Sequence, residues 1–290
     1  MSNFVILTDS CCDLSQQMAD QLGLRVVPLV VSSPKGDFRN FLDGREISFE
    51  DFYANMRGGD MCKTSAINLE QWTEAMEEIL KEGKDVLCLA FSSGLSSTYS
   101  SSAIAAQELS EKYPERKVYS VDTLCASMGQ GLIVYLASKK AEAGASIEEV
   151  RDWVEANKMS VAHWVTVDDL QHLKRGGRVS AATAVVGTML KIKPIIHVDN
   201  EGKLDTVEKA RGRKAALNYI VDKMGETAFN LAEQDLFISH ADSLADAEYV
   251  AAKAKERYGV QNVVINYIGP VIGAHAGPGT IAVFWLANQR

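Results

Sequence analysis

Val86-Leu87-Cys88-Leu89-Ala90-Phe91-Ser92-Ser93-Gly94-Leu95-Ser96-Ser97-Thr98-Tyr99-Ser100-Ser101-Ser102 places an unbroken apolar run directly before a Gly- and hydroxyl-rich turn, and an alanine-rich segment follows at 103–109. The apolar density predicts an interior strand of a parallel sheet, and the alanine-rich segment predicts a helix, so the unit reads as strand, turn, helix. A turn of this kind presents hydroxyls beside the open amides of a helix start, which is a means of holding an oxyanion such as a carboxylate. Ordinary helix capping by Ser and Thr accounts for the same residue types.

The same alternation continues on either side. Upstream, Phe4-Val5-Ile6-Leu7 is a buried strand, followed by Thr8-Asp9-Ser10 and a helical series at Leu14, Met18 and Leu22, with Asp13 placed to cap that helix. Asp9 could be read as a strand-end nucleophile, but residues 8–13 bring no metal pattern with it. A short strand is expected at 26–31, a surface excursion at 32–45, a small strand or turn at 45–48 and a helix at 49–56 closed by Gly58-Gly59. Asn68 and Gln71 have capping-box spacing ahead of Trp72, Met76, Ile79 and Leu80, an apolar stripe expected in the core. Downstream, strand 118–121 precedes helix 126–140, and a helix at 147–159 bridges into a second lobe.

That lobe opens with a strand at 163–167 and a helix at 168–175, then Gly176-Gly177-Arg178-Val179-Ser180. A helix is expected at 181–190, a strand at 193–198, a hairpin turn at Gly202 and a strand at 203–207. Lys209, Arg211, Arg213 and Lys214 read as the basic start of a helix. Strand 236–239, helix 242–258 and strand 263–267 follow, and His275 stands in a Gly-Pro-rich loop before the strong strand 281–285. Of the five histidines it is the one whose setting most invites a role.

Composition narrows the functional classes. A chain of 290 residues with 47% hydrophobic and 23% charged residues can bury a large core, and a formal charge of −8 opposes a phosphate backbone, so nucleic acid is not an expected partner. Cys11, Cys12, Cys62, Cys88 and Cys125 form no CxxC pair, which favours a reducing compartment and argues against structural zinc; the adjacent Cys11 and Cys12 read as core or pocket-edge residues. With no signal-like opening and no apolar run of transmembrane length, the expected location is the cytoplasm.

LTDSCCDL, CKTSAIN, FSSGLSSTYSSS, VDTLCASMGQG, LKRGGRVS and HAGPGT occur in this order along nearly the whole chain, and in this the sequence resembles the DegV family of bacterial lipid-binding proteins. The resemblance implies an α/β protein with an N-terminal parallel-sheet domain at 1–160, a C-terminal α/β domain with a mixed sheet at 161–290, and one long-chain fatty acid, such as palmitate, stearate or oleate, between them. It implies a carboxylate held near Thr64 and Ser96, with Ser65, Ser97 and His275 as supporting residues, and no metal or cofactor. It further implies a separate fatty-acid kinase as partner, with Arg178 as a docking or phosphate-facing residue. The chain itself has no GxxxxGK[ST] loop, which fits a binding subunit with no catalytic residues of its own. Two departures stand out: Thr64-Ser65-Ala66-Ile67-Asn68 where the family commonly has TSQPS, and Ser97 where it commonly has glycine.

Two other classes fit parts of the sequence. A serine hydrolase could use Ser96, although there is no GxSxG elbow and no base evident in the sequence; a protein-interaction module could dock through its basic patches.

Overall fold

The structure, a computed structural model, describes residues 3–179, 192–288 and 290, and the helix expected at 181–190 lies outside them. Strands β1 (Phe4–Asp9), β2 (Arg25–Val27), β6 (Asp85–Ala90) and β7 (Val118–Asp122) form a parallel sheet in the order β2-β1-β6-β7. All six residues of β1 are buried because helices cover both faces. Val5, Leu7, Val86 and Cys88 point to the core shared with α3 (Leu69–Lys81) and α4 (Thr98–Lys112), whereas Phe4, Ile6, Leu87 and Leu89 point to that of α5 (Met128–Glu142) and α6 (Ile147–Asn157). The chain leaves β1 in one direction for β2, and β6 joins on its other side. The carboxyl ends of β1 and β6 therefore flank the crevice where ligands of such sheets bind.

A small antiparallel sheet, β4-β3-β5, joins β3 (Val30–Ser33), β4 (Gly36–Arg39) and β5 (Lys63–Ser65). Residues 32–45 are thus partly sheet, and 45–48 form no strand; Arg45 instead pairs with Asp43 and lies over Phe41. Helix α2 (Phe49–Arg57) starts at a Ser48 cap and ends at Gly58, as expected, and α3 carries the Asn68–Gln71 capping box. Helix α1 (Gln16–Gln21) is capped by Ser15, not Asp13, whose backbone is left-handed and whose carboxylate is buried elsewhere.

The second sheet is mixed: β10 (Leu204–Arg211), β9 (Ile192–Val198), β8 (Val161–Thr166), β13 (Ile281–Leu286), β11 (Asp235–His240) and β12 (Asn262–Tyr267), in that order. Only β11 and β12 are parallel neighbours. Helices α7 (Gln171–Arg175), α8 (Arg213–Thr227), α9 (Leu244–Tyr258) and α10 (Pro270–Ala276) complete the described lobe. Two expectations are corrected. Lys209 and Arg211 belong to β10, so the basic run divides between a strand and a helix that opens at Arg213, because β10 continues its pairing with β9 as far as Arg211. His275 lies in α10, started by Pro270 at a position where a missing amide proton costs nothing, and so is not in a loop.

The two sheets share their apolar interior. Ile268, Val271 and Ala274 pack with the β1 and β6 side chains, and Phe237, Ala282 and Phe284 pack with α5. No helix among the described residues is long and apolar enough to cross a membrane.

The β9–β10 hairpin is seated on the serine-rich turn. Ser92 Oγ donates to Gly202 O at 2.8 Å, Gly202 has φ +72°, and a Cβ there would stand 2.2 Å from Ser92 Oγ. Gly202→Ala should therefore destabilise the protein by roughly 1–3 kcal/mol through strain and collision. Urea unfolding measures this, and an unchanged midpoint would mean that the hairpin is not held on that turn.

Candidate functional site

A cavity of about 310 Å³ lies where the carboxyl edge of the parallel sheet meets one face of the mixed sheet, a volume at the lower end of the ~300–1,000 Å³ typical of small-molecule sites. Its floor follows strand periodicity: His163 and Val165 of β8, with Val167 just beyond, pair across to Phe284 and Ala282 of β13, and Ile196 and Val198 of β9 continue the rows. Residues 163 to 167 span about 13 Å at strand rise, which sets the length of this apolar floor. Leu29, Phe91, Leu95, Val271 and Ile272 close the other side.

Thr64, Ser96, Ser97, His275 and Arg178 all line this cavity. Thr64 is the middle residue of β5, and strand alternation turns its neighbour Ser65 to solvent, outside the lining. Thr64 Oγ1 and His275 Nε2 are 2.7 Å apart. The imidazole fits because residue 176 is glycine: a Cβ there would sit 2.1 Å from His275 Nδ1. Burial, and then the charge of Arg178, push the His275 pKa down to about 4, so the ring is neutral at physiological pH.

Arg178 is half-buried and committed to the backbone. Its Nε and Nη2 donate to Leu95 O at 3.1 and 2.9 Å, and Nη1 donates to Gly176 O. It thereby fastens the loop after α7 to the serine-rich turn. That turn is less open than expected, because Leu95 and Ser96 donate their amides to Ser92 O, Gly94 to Ser92 Oγ, Ser93 to Asp122, and Thr98 to Ser96 Oγ. Hydroxyls, more than free amides, are what this turn turns toward the cavity. Ser97 opens α4 without making a side-chain cap and is exposed.

Three further residues shape the site. His163 Nε2 accepts from Ala126 N at 3.2 Å, which leaves Nδ1 as the donor to Val161 O at 2.9 Å, so this buried ring is neutral and acts as a flat wall set edge-on to Phe284. Its alternation with Val165 and Val167 was a readable signal. Ser127, on the cavity wall at φ +54°, donates through Oγ to Asp13 at 2.6 Å, and Gly269 N donates to the other Asp13 oxygen at 2.9 Å. Asp13 thus holds the start of the helix that carries His275. Burial raises its pKa to about 7, with the Ser127 and Gly269 bonds opposing the rise. Its partners lie 114 and 256 residues away, beyond any local sequence signal. All five cysteines are free, with Cys11 and Cys12 in the core, and the described residues contain no cluster of three or more His, Cys, Asp or Glu that could hold a metal.

Residues 3–288 match the family model described as "Uncharacterised protein, DegV family". A DegV domain-containing protein of Clostridium perfringens is 43% identical over 290 residues, covering 100% of this chain and 99% of that protein. Among solved structures, a Thermus thermophilus DegV family protein described for its fatty-acid binding has a TM-score of 0.85 at 31% identity, over 98% of this chain and 99% of that one. A Thermotoga maritima protein whose structure is described as revealing a fatty-acid-binding function has a TM-score of 0.86 at 28% identity, over 99% and 100% of the two chains. A family match spanning almost every residue, carried on the same α/β architecture, establishes that this chain belongs to the DegV family.

Proposed function

We propose that this chain binds one long-chain fatty acid between its N-terminal unit (1–160) and its C-terminal unit (161–290), in the cytoplasm, and presents the carboxylate to a separate fatty-acid kinase. The observation that carries the reading is a single cavity with an apolar floor and the hydroxyls of Thr64 and Ser96 on its wall. The tail would supply most of the affinity, at roughly 0.8 kcal/mol per buried CH₂ before ordering costs. Thr64 and Ser96 would donate to the carboxylate, with His275 holding Thr64, and palmitate, stearate and oleate are the acids to test first. Arg178 borders both this cavity and an outer groove shared with Gly94, Gly177 and Lys203, which supports a role at the kinase-facing edge. A hydrolase reading is weakened because Ser96 Oγ is bonded to Thr98 and His275 is bonded to Thr64.

Calorimetric titration of delipidated protein should give a strong preference for a long-chain acid over the matched alcohol. Thr64→Ala and Ser96→Ala should each weaken the acid by about 10- to 100-fold, the effect of losing one hydrogen bond to a charged group. Wild-type affinity in both variants would place the carboxylate elsewhere.

The depressed His275 pKa also fixes a pH dependence. The unfolded ring takes up a proton below about pH 6.5 and the folded ring only near 4, so this residue's contribution is complete above 6.5 and is lost as pH falls toward 4. The loss is on the order of 3 kcal/mol. Urea unfolding of wild type and His275→Gln at pH 7 and pH 4.5 should show the wild type losing more stability on acidification; equal losses would contradict a neutral, buried His275.

A further inference from the structure

Ser96 has a buried neighbour whose chemistry decides what it can offer a ligand. Thr98 is fully buried at the first turn of α4, and its backbone is pinned by Trp72 Nε1 donating to Thr98 O at 3.0 Å. Ser96 Oγ accepts the Thr98 amide at 3.2 Å and lies 2.9 Å from Thr98 Oγ1. Among the described residues, Thr98 Oγ1 has Ser96 Oγ as its hydrogen-bond partner.

A hydroxyl has one proton and two lone pairs, so only two arrangements of this pair exist. If Ser96 donates to Thr98, the Thr98 proton is left buried without an acceptor among the described residues, and Ser96 faces the cavity with a lone pair that repels a carboxylate. If Thr98 donates to Ser96, both Ser96 lone pairs are filled, by the Thr98 amide and the Thr98 hydroxyl. The Ser96 proton must then point into the cavity. A buried donor without a partner is costly, so the second arrangement prevails before any ligand arrives.

We infer that Thr98 is a positioning residue for acid recognition: by donating to Ser96 Oγ it fixes the Ser96 hydroxyl as a donor toward the cavity and so selects a carboxylate over an uncharged head group. The role rests on the fatty-acid reading above and deepens it. It also assigns a task to Trp72, the core residue that holds Thr98 in register.

The test compares Thr98→Val, which keeps the shape and removes the donor, with Thr98→Ser, which keeps the donor, using calorimetric titration of delipidated protein with palmitate and hexadecanol. Thr98→Val should weaken palmitate by about three- to tenfold, the size of one ordinary hydrogen bond. Hexadecanol should be held as well or better, because Ser96 regains a lone pair that an alcohol can donate to. Thr98→Ser should restore the acid-over-alcohol ratio. In a Ser96→Ala background Thr98→Val should add nothing, since Thr98 acts through Ser96. An unchanged ratio in Thr98→Val, failure of Thr98→Ser to restore it, or an undiminished Thr98→Val effect in the Ser96→Ala background would overturn the role while leaving fatty-acid binding intact. If Thr98→Val does not fold, Thr98→Ala is judged by the same ratio. Wild-type protein with no preference for the acid would overturn the fatty-acid reading, and this role with it.

Discussion

The Asp13 carboxylate, buried between the two sheets and held by a hydroxyl and a backbone amide, is the interaction on which the site's architecture depends. It lies just after β1, and through Ser127 and Gly269 it ties together the starts of α5 and α10. The Asn266 side-chain Nδ2 also donates to the Asp13 carbonyl at 2.8 Å. These contacts determine where α10 starts, hence where His275 meets Thr64. Removing one partner of such a group leaves the other desolvated and unpaired, which is far more expensive than losing a surface bond.

With that frame fixed, the cavity itself is electrically quiet. His163 and His275 are held neutral by burial, and the Arg178 guanidinium is turned onto the carbonyls of Leu95 and Gly176. Recognition of an anion in such a place rests on oriented neutral donors and on the apolar rows of β8, β9 and β13. This suits an amphiphile whose tail, not its charge, dominates the free energy of binding.

Much of this was legible in the sequence because it is local. The apolar run at 86–91, the capping box at Asn68 and Gln71, and the stripe Trp72, Met76, Ile79 and Leu80 each declare themselves within a turn or two, and the structure has them where they were expected. Thr64, Ser96 and His275 were legible as candidates by family resemblance, but that they line one cavity depends on contacts more than 200 residues apart. Asp13 misled for the same reason: a helix cap three residues away was a plausible partner, whereas its true partners are distant in sequence. The serine-rich turn reads as open from its composition, although its amides are satisfied by Ser92 and Asp122, a bonding pattern that composition does not reveal. Ser65 was set aside only by strand alternation, once Thr64 was known to face inward.

The interior shared across the sheets has a consequence for how the molecule comes apart. Side chains of β1 and β6 are completed by Ile268, Val271 and Ala274, and those of α5 by Phe237 and Phe284. The N-terminal half has no apolar cluster closed by its own residues alone, whereas the C-terminal half adds one built only from its own, around Trp164, Ile220, Leu236 and Trp285. The halves cannot part without baring apolar surface on the first, which the last strand and helix to leave the ribosome seal, and a nascent chain halted midway exposes the N-terminal wall of the cavity.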